Sequence, residues 1–154
     1  MKVSTGYRNH KNITGDNEAA INGGVIRIYG STVSEVESLT LIPATADAAI
    51  GSATLLCTVS NNSAGTGINL ATTSSSGVIA KAAAETWSGE YVATGYPSFA
   101  RWSAIADAGA LSTTEKRLQL TVGTVGKEFI ISTALKTIGT IQRVDAAYLG
   151  EPAE

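Results

Sequence analysis

Hydrophobic and polar positions alternate in short runs along most of this chain, the two-residue period of half-buried strands rather than the 3.6-residue period of helices. Val25, Ile26, Arg27, Ile28 and Tyr29 form a β-branched and aromatic run between Gly24 and Gly30-Ser31, which predicts a strand. Residues 36–42 set Leu39 and Leu41 opposite Ser38 and Thr40, predicting a second strand that Pro43 ends or confines to an edge. Over 53–60, Leu55, Cys57 and Val59 share one face while Thr54, Leu56, Thr58 and Ser60 share the other. The strictest alternation runs over 116–122, with Leu118, Leu120 and Val122 expected inward and Arg117, Gln119 and Thr121 outward. Further strands are predicted at 78–84, 129–131 and 138–144, and a hairpin at 91–93 and 99–102 around Thr94-Gly95-Tyr96-Pro97.

Polar, glycine-bearing clusters at 61–67 and 72–77 leave Ile68-Asn69-Leu70 as a strand fragment or part of a long loop, and residues 105–114 read as a loop. The first dozen residues carry Lys2, Arg8 and Lys11 without a hydrophobic period and are expected to form an extended arm. Asp16 is placed to cap a short helical turn through Glu18, Ala19, Ala20 and Ile21, which Gly23 and Gly24 end. Seven to nine short strands, with turn signals between them and no intervening amphipathic helix, predict an all-β fold. The expectation is a single antiparallel β-sandwich or barrel-like domain of jelly-roll type over 15–145. An extended N-terminal arm at 1–14 precedes it and a fraying tail at 146–154 follows.

At 154 residues the chain has room for one core, and only 16% of its residues are charged. A net charge of −2 lacks the basic footprint of a nucleic-acid or anionic-membrane binder, so neither partner is expected. One cysteine excludes an internal disulfide, and with one histidine it cannot furnish a structural zinc site; no metal and no cofactor are expected. Met1 and Lys2 are followed by a polar run rather than an apolar leader, and no stretch reaches the ~18 apolar residues that span a bilayer. Synthesis in the cytoplasm is therefore expected, which leaves the glycosylation-type triplets at Asn12 and Asn61 unused.

The search for catalytic chemistry yields little. His10 lies in the expected arm beside Arg8 and Lys11, where an ordered general base is hard to hold, so it reads as a solvated or interface residue. HExxH, P-loop, GxGxxG and GxSxG patterns are absent. Glu85 and Glu90 flank Trp87, as a sugar-cleaving pair would, but five residues apart around a turn they read as the outside of a hairpin. Cys57 falls on an apolar face and reads as a small buried hydrophobe. Trp87, Trp102 and Tyr96 are read as sheet aromatics, with a protein interface or carbohydrate stacking as the functional alternatives. Arg27, Arg101, Arg117 and Arg143 sit in predicted strands, either solvated or paired with a neighbouring subunit.

Several blocks occur together in order: Ser4-Thr5-Gly6-Tyr7-Arg8-Asn9, Gly24-Val25-Ile26-Arg27-Ile28-Tyr29, Thr54-Leu55-Leu56-Cys57-Thr58-Val59, Ala84-Glu85-Thr86-Trp87-Ser88-Gly89 and Phe99-Ala100-Arg101-Trp102. Across most of residues 4–145 this order resembles a family of small tailed-bacteriophage proteins found among virion structural components. The resemblance implies assembly rather than catalysis: a capsid decoration or cement protein bound to the major capsid protein lattice and clustering as a trimer or dimer. A head–tail connector or tail protein, and a carbohydrate-binding module, are the alternatives. Tyr7, Arg8, His10, Trp87, Tyr96 and Trp102 are the expected interface residues, with residues 1–14 as the reaching arm. On that reading, removing residues 1–12 weakens capsid attachment without changing the melting temperature of the isolated fold.

Overall fold

A computed structural model describes residues 1–75 and 77–150. In chain order the elements are β1 (Lys2–Val3), α1 (Thr5–Thr14), α2 (Glu18–Ile21), β2 (Val25–Ser31), α3 (Glu35–Thr40), β3 (Thr54–Asn61), β4 (Leu70–Ser75) and β5 (Val78–Lys81). They continue with β6 (Trp87–Glu90), β7 (Tyr96–Ser103), β8 (Leu118–Gly123), β9 (Phe129–Ile130), β10 (Ile141–Val144) and β11 (Tyr148–Gly150). Strands dominate and pair antiparallel, apart from the short parallel β8–β9 contact, so the all-β expectation holds. The larger sheet runs β1-β8-β7-β2-β3-β6-β10, with β9 also on β8, and the smaller runs β11-β5-β4. The arrangement is sandwich-like and does not close into a barrel.

The two faces of the larger sheet follow from its register. Ile26 lies opposite Val59 and Trp102, Ile28 opposite Cys57 and Ala100, and Leu118 opposite Trp102, so these side chains share one face. That face carries the main core, onto which Ile68, Leu70, Ile79 and Leu149 of the smaller sheet and its approaches pack. Arg27 opposite Arg101, Arg101 opposite Gln119 and Tyr29 opposite Phe99 define the second face. It is also covered: Leu41, Ile42, Ile50 and Ala53 pack on the stacked pair Tyr29–Phe99, whose centroids are 5.2 Å apart.

This second layer overturns one expectation. Arg117 and Gln119, read as outward, are buried under the loops at 41–53 and 104–116. Arg117 donates to both carboxylate oxygens of Asp107 (2.7 and 2.6 Å) and to the carbonyls of Ala46, Asp47 and Ala110. Arg101 donates twice to Gln119 Oε1 and once to the Thr45 carbonyl. The polar side of the sheet thus anchors loops instead of facing water.

Five further expectations change. Residues 5–14 form a helix rather than an extended arm: Ser4 Oγ caps it by accepting from Tyr7 N, and Tyr7 is buried in the core. Residues 35–40 form a helix and not a strand, because Ser34 Oγ accepts from Glu37 N and nucleates a turn before Pro43. In β3 a bulge opposite Ile28 and Tyr29 inserts Leu56, which turns fully inward while Leu55 moves to the surface. The hairpin expected from 91–93 does not form: β7 pairs with β2 and β8, and Ser88-Gly89, within the turn expected between Glu85 and Glu90, belongs to strand β6. The tail expectation gives way at Tyr148–Gly150, which pairs with β5, while residues 151–154 lie outside the described residues. The predicted turn after Asp16 is present, with Asp16 Oδ1 accepting from Glu18 N and Ala19 N.

Candidate interface

The six expected interface residues separate by burial. Tyr7, Trp87 and Trp102 are buried within the chain's own core. Tyr7 OH donates to Asn17 Oδ1 (3.0 Å), and Trp87 meets Trp102 edge-on at 5.1 Å between centroids. Tyr96 is half-buried at the start of β7. Arg8 and His10 remain at the surface of α1: Arg8 is exposed, donates to Thr5 Oγ1 in the same helix and lies near the Asp47 carboxylate, while His10 is half-buried. The structure therefore brings Tyr7, Arg8 and His10 together on one helix, unites the two tryptophans in the core, and leaves Tyr96 at the other end of the sheet.

The residues considered for chemistry are also committed internally. Glu85 accepts from Asn69 N, Asn69 Nδ2 and Trp87 Nε1 at 2.8, 2.7 and 2.7 Å. Burial raises its carboxyl, but these three bonds outweigh it and hold the group below the usual carboxylate range. Glu90 is exposed on the edge of β6. Burial pushes the Cys57 thiol up to about 12, as expected of a core hydrophobe. Among the described residues no group of three or more His, Cys, Asp or Glu side chains converges as a metal site would require. Of the four arginines predicted in strands, Arg27 is tied to the carbonyls of Ala104 and Ile105, Arg101 and Arg117 are buried, and Arg143 is exposed.

One cleft of about 580 Å³ opens between the layers, floored by Ile26, Trp102, Leu118 and Leu120 and roofed by 144–149. Its rim carries Arg143, Asp145 and the ion pair between the Met1 ammonium and Glu128. The floor supplies dispersion contacts and the rim charges of both signs, a lining suited to apolar groups rather than to acid–base work.

The most unusual surface lies at the opposite side of the expectations. Helix α3 buries Ser38, whose Oγ accepts from Ser31 N and donates to the Tyr96 carbonyl. Its apolar residues point the other way: Val36 is 76% exposed and Leu39 51%, beside Val33 at 71%. An ordinary surface helix buries its apolar stripe, so α3 is inside out. Gly30 makes this packing possible, since a Cβ there would collide with the Tyr96 carbonyl and crowd Ser38 Oγ. Glu35 and Glu37 flank the exposed stripe, and the helix carries no cation. This surface was missed because the sequence over 36–42 reads as a strand; the signal that finds it is Ser34-Glu35-Val36-Glu37, a capping-box pattern.

Comparison with models of known families, with characterised proteins and with solved structures finds no match to this chain.

Proposed function

We propose that this chain is a bacteriophage virion structural protein, a decoration or cement protein that binds the major capsid protein lattice and stabilises the head. The observation that carries the reading is the inside-out helix α3: a rigid all-β body presents Val33, Val36 and Leu39 to solvent while its polar side chains serve its own loops. Exposed apolar clusters on a folded domain mark contact with another macromolecule. Weak contacts suffice on a lattice, where many copies bind together. The order of sequence blocks that resembles small virion proteins supplies the identity of the partner in this reading. The carbohydrate-binding alternative loses its platform, because both tryptophans are buried.

Immunogold labelling of purified particles, with copies counted by quantitative mass spectrometry, tests the reading. Hundreds of copies over the head are expected. A dozen or fewer at one vertex, or label along the tail, would move the assignment to a connector or tail protein, and absence from particles would overturn both.

A further inference from the structure

Strand β10 is the outer edge of the larger sheet, and among the described residues no strand pairs with its far side. Its register with β6 sets Ile141 opposite Glu90 and Arg143 opposite Ser88. One step further on, Tyr91 N donates to the Thr140 carbonyl, which makes that pair a hydrogen-bonded one. Antiparallel pairs alternate, so Gln142 and Gly89 are bonded too, and the N–H and C=O groups of Ile141 and Arg143 point away from β6. In keeping with this, the Arg143 carbonyl accepts from a side chain, Gln142 Nε2. Alternation along β10 and β6 also puts Ile141, Arg143 and Glu90 on one face, opposite to Trp87 and the main core. Ile141 is 52% exposed, and Glu90 and Arg143 are exposed without an ion pair or side-chain hydrogen bond among the described residues.

We propose that two copies of this chain pair through β10 about a two-fold axis at Gln142, joining their larger sheets edge to edge. An open strand edge is a template for such addition. The axis at Gln142 sets Ile141 of each copy opposite the partner's Arg143, so the outward backbone groups of both residues bond across the contact. An axis at Ile141 would instead set Arg143 against the partner's Gly139, whose N–H is already given to the Tyr91 carbonyl. The same register matches the side chains. Glu90, Ile141 and the partner's Arg143 stand in one row across the joined sheet, and the two-fold repeats that row in reverse. Each Arg143 lays its stem over the partner's Ile141 and carries its guanidinium toward the partner's Glu90, two strand spacings or about 10 Å away between backbones. Arg27, the next cation on this face, does not compete for Glu90, because the carbonyls of Ala104 and Ile105 hold it. The contact is isologous and closes at a pair. It goes beyond the proposed function and does not require a capsid.

Sedimentation velocity on the purified full chain, from micromolar to several hundred micromolar at low salt, tests it. The average sedimentation coefficient is expected to rise with concentration and to level off at the value of a dimer. Glu90→Arg and Arg143→Glu should each weaken association about tenfold or more, since either one sets like charges together at both ends of the contact. Mixing the two variants should restore it, as should both exchanges in one chain. Ile141→Pro removes an N–H that the chain's own sheet does not use, and should leave a monomer that melts close to the parent. A parent that stays monomeric throughout, growth past the dimer, or charge variants that associate as the parent does would each overturn the β10 contact. A mixture no better than its components, or association that survives Ile141→Pro, would overturn it as well and move self-association to another surface. None of these outcomes bears on whether the chain is found in particles, which labelling decides.

Discussion

Asp107 shows how much of this protein's polar chemistry is structural. Burial raises its carboxyl, but the hydrogen bonds from Arg117, the Gly109 amide and Ser103 together with the Arg117 charge hold it below the ordinary range. The pair is dry, with side chains 1% and 3% exposed, so removing one partner strands the other's charge. Asp107→Asn should therefore cost about 3–5 kcal/mol of stability in urea titrations, whereas Asp145→Asn, at an exposed site, should stay within about 0.5 kcal/mol. A small loss in the first variant would mean that the loop carbonyls alone hold Arg117. None of this was legible from 116–122, where strict alternation assigns Arg117 and Leu118 to opposite faces correctly but is silent on whether loops later cover the polar one. Cys57 was legible because its apolar face meets the core directly.

At the scale of elements, the strands that alternate cleanly or carry β-branched runs were readable, β2 and β8 above all. The two missed helices share a physical cause: short helices are specified by caps more than by periodicity. Ser4 and Ser34 each accept from the amide three residues on, and both helices were read as extended chain. The candidate surface inherits this, since the Val33, Val36 and Leu39 stripe exists only if 35–40 is helical. For α1 the helix also reverses an expectation about the N-terminal segment. Ser4 Oγ accepts from Tyr7 N and Arg117 N and donates to the Glu115 carbonyl, while Tyr7 fills the core. Removing residues 1–12 should thus lower the melting temperature markedly instead of leaving it unchanged. Ser4→Ala alone should cost about 1–3 kcal/mol by unpairing the buried Arg117 amide as well as the cap. Thermal melts and urea midpoints of the two variants check both statements, and an unaltered melt after deletion would show that α1 contributes nothing to the isolated fold.

For the whole molecule, carboxylates held by hydrogen bonds in the fold make stability depend on acidity in a definite sense. Asp47, Glu85, Asp107 and Glu128 all have carboxyls held below their ordinary values. For Glu128, burial raises the group, but hydrogen bonds from the Met1 ammonium and from Thr121 Oγ1 and N outweigh it and bring it to about 2. As pH falls below the ordinary values of 4.5 for Glu and 3.8 for Asp, the unfolded chain takes up protons that the folded chain still refuses. Unfolding then binds protons, and stability drops with pH. The contribution of these groups is complete above about pH 5.5, a unit beyond the ordinary glutamate value, and drains away down to about pH 2, where Glu128 itself protonates in the fold. Melting temperatures measured from pH 7 to pH 2 should hold level and then decline across that window. Glu128→Gln, which keeps an acceptor but cannot titrate, should lower the plateau and flatten the part of the decline nearest pH 2. An identical acid limb in parent and variant would show that Glu128 gains nothing from its partners, and that β1 and β9 are held on the edge of β8 by their backbone pairing alone.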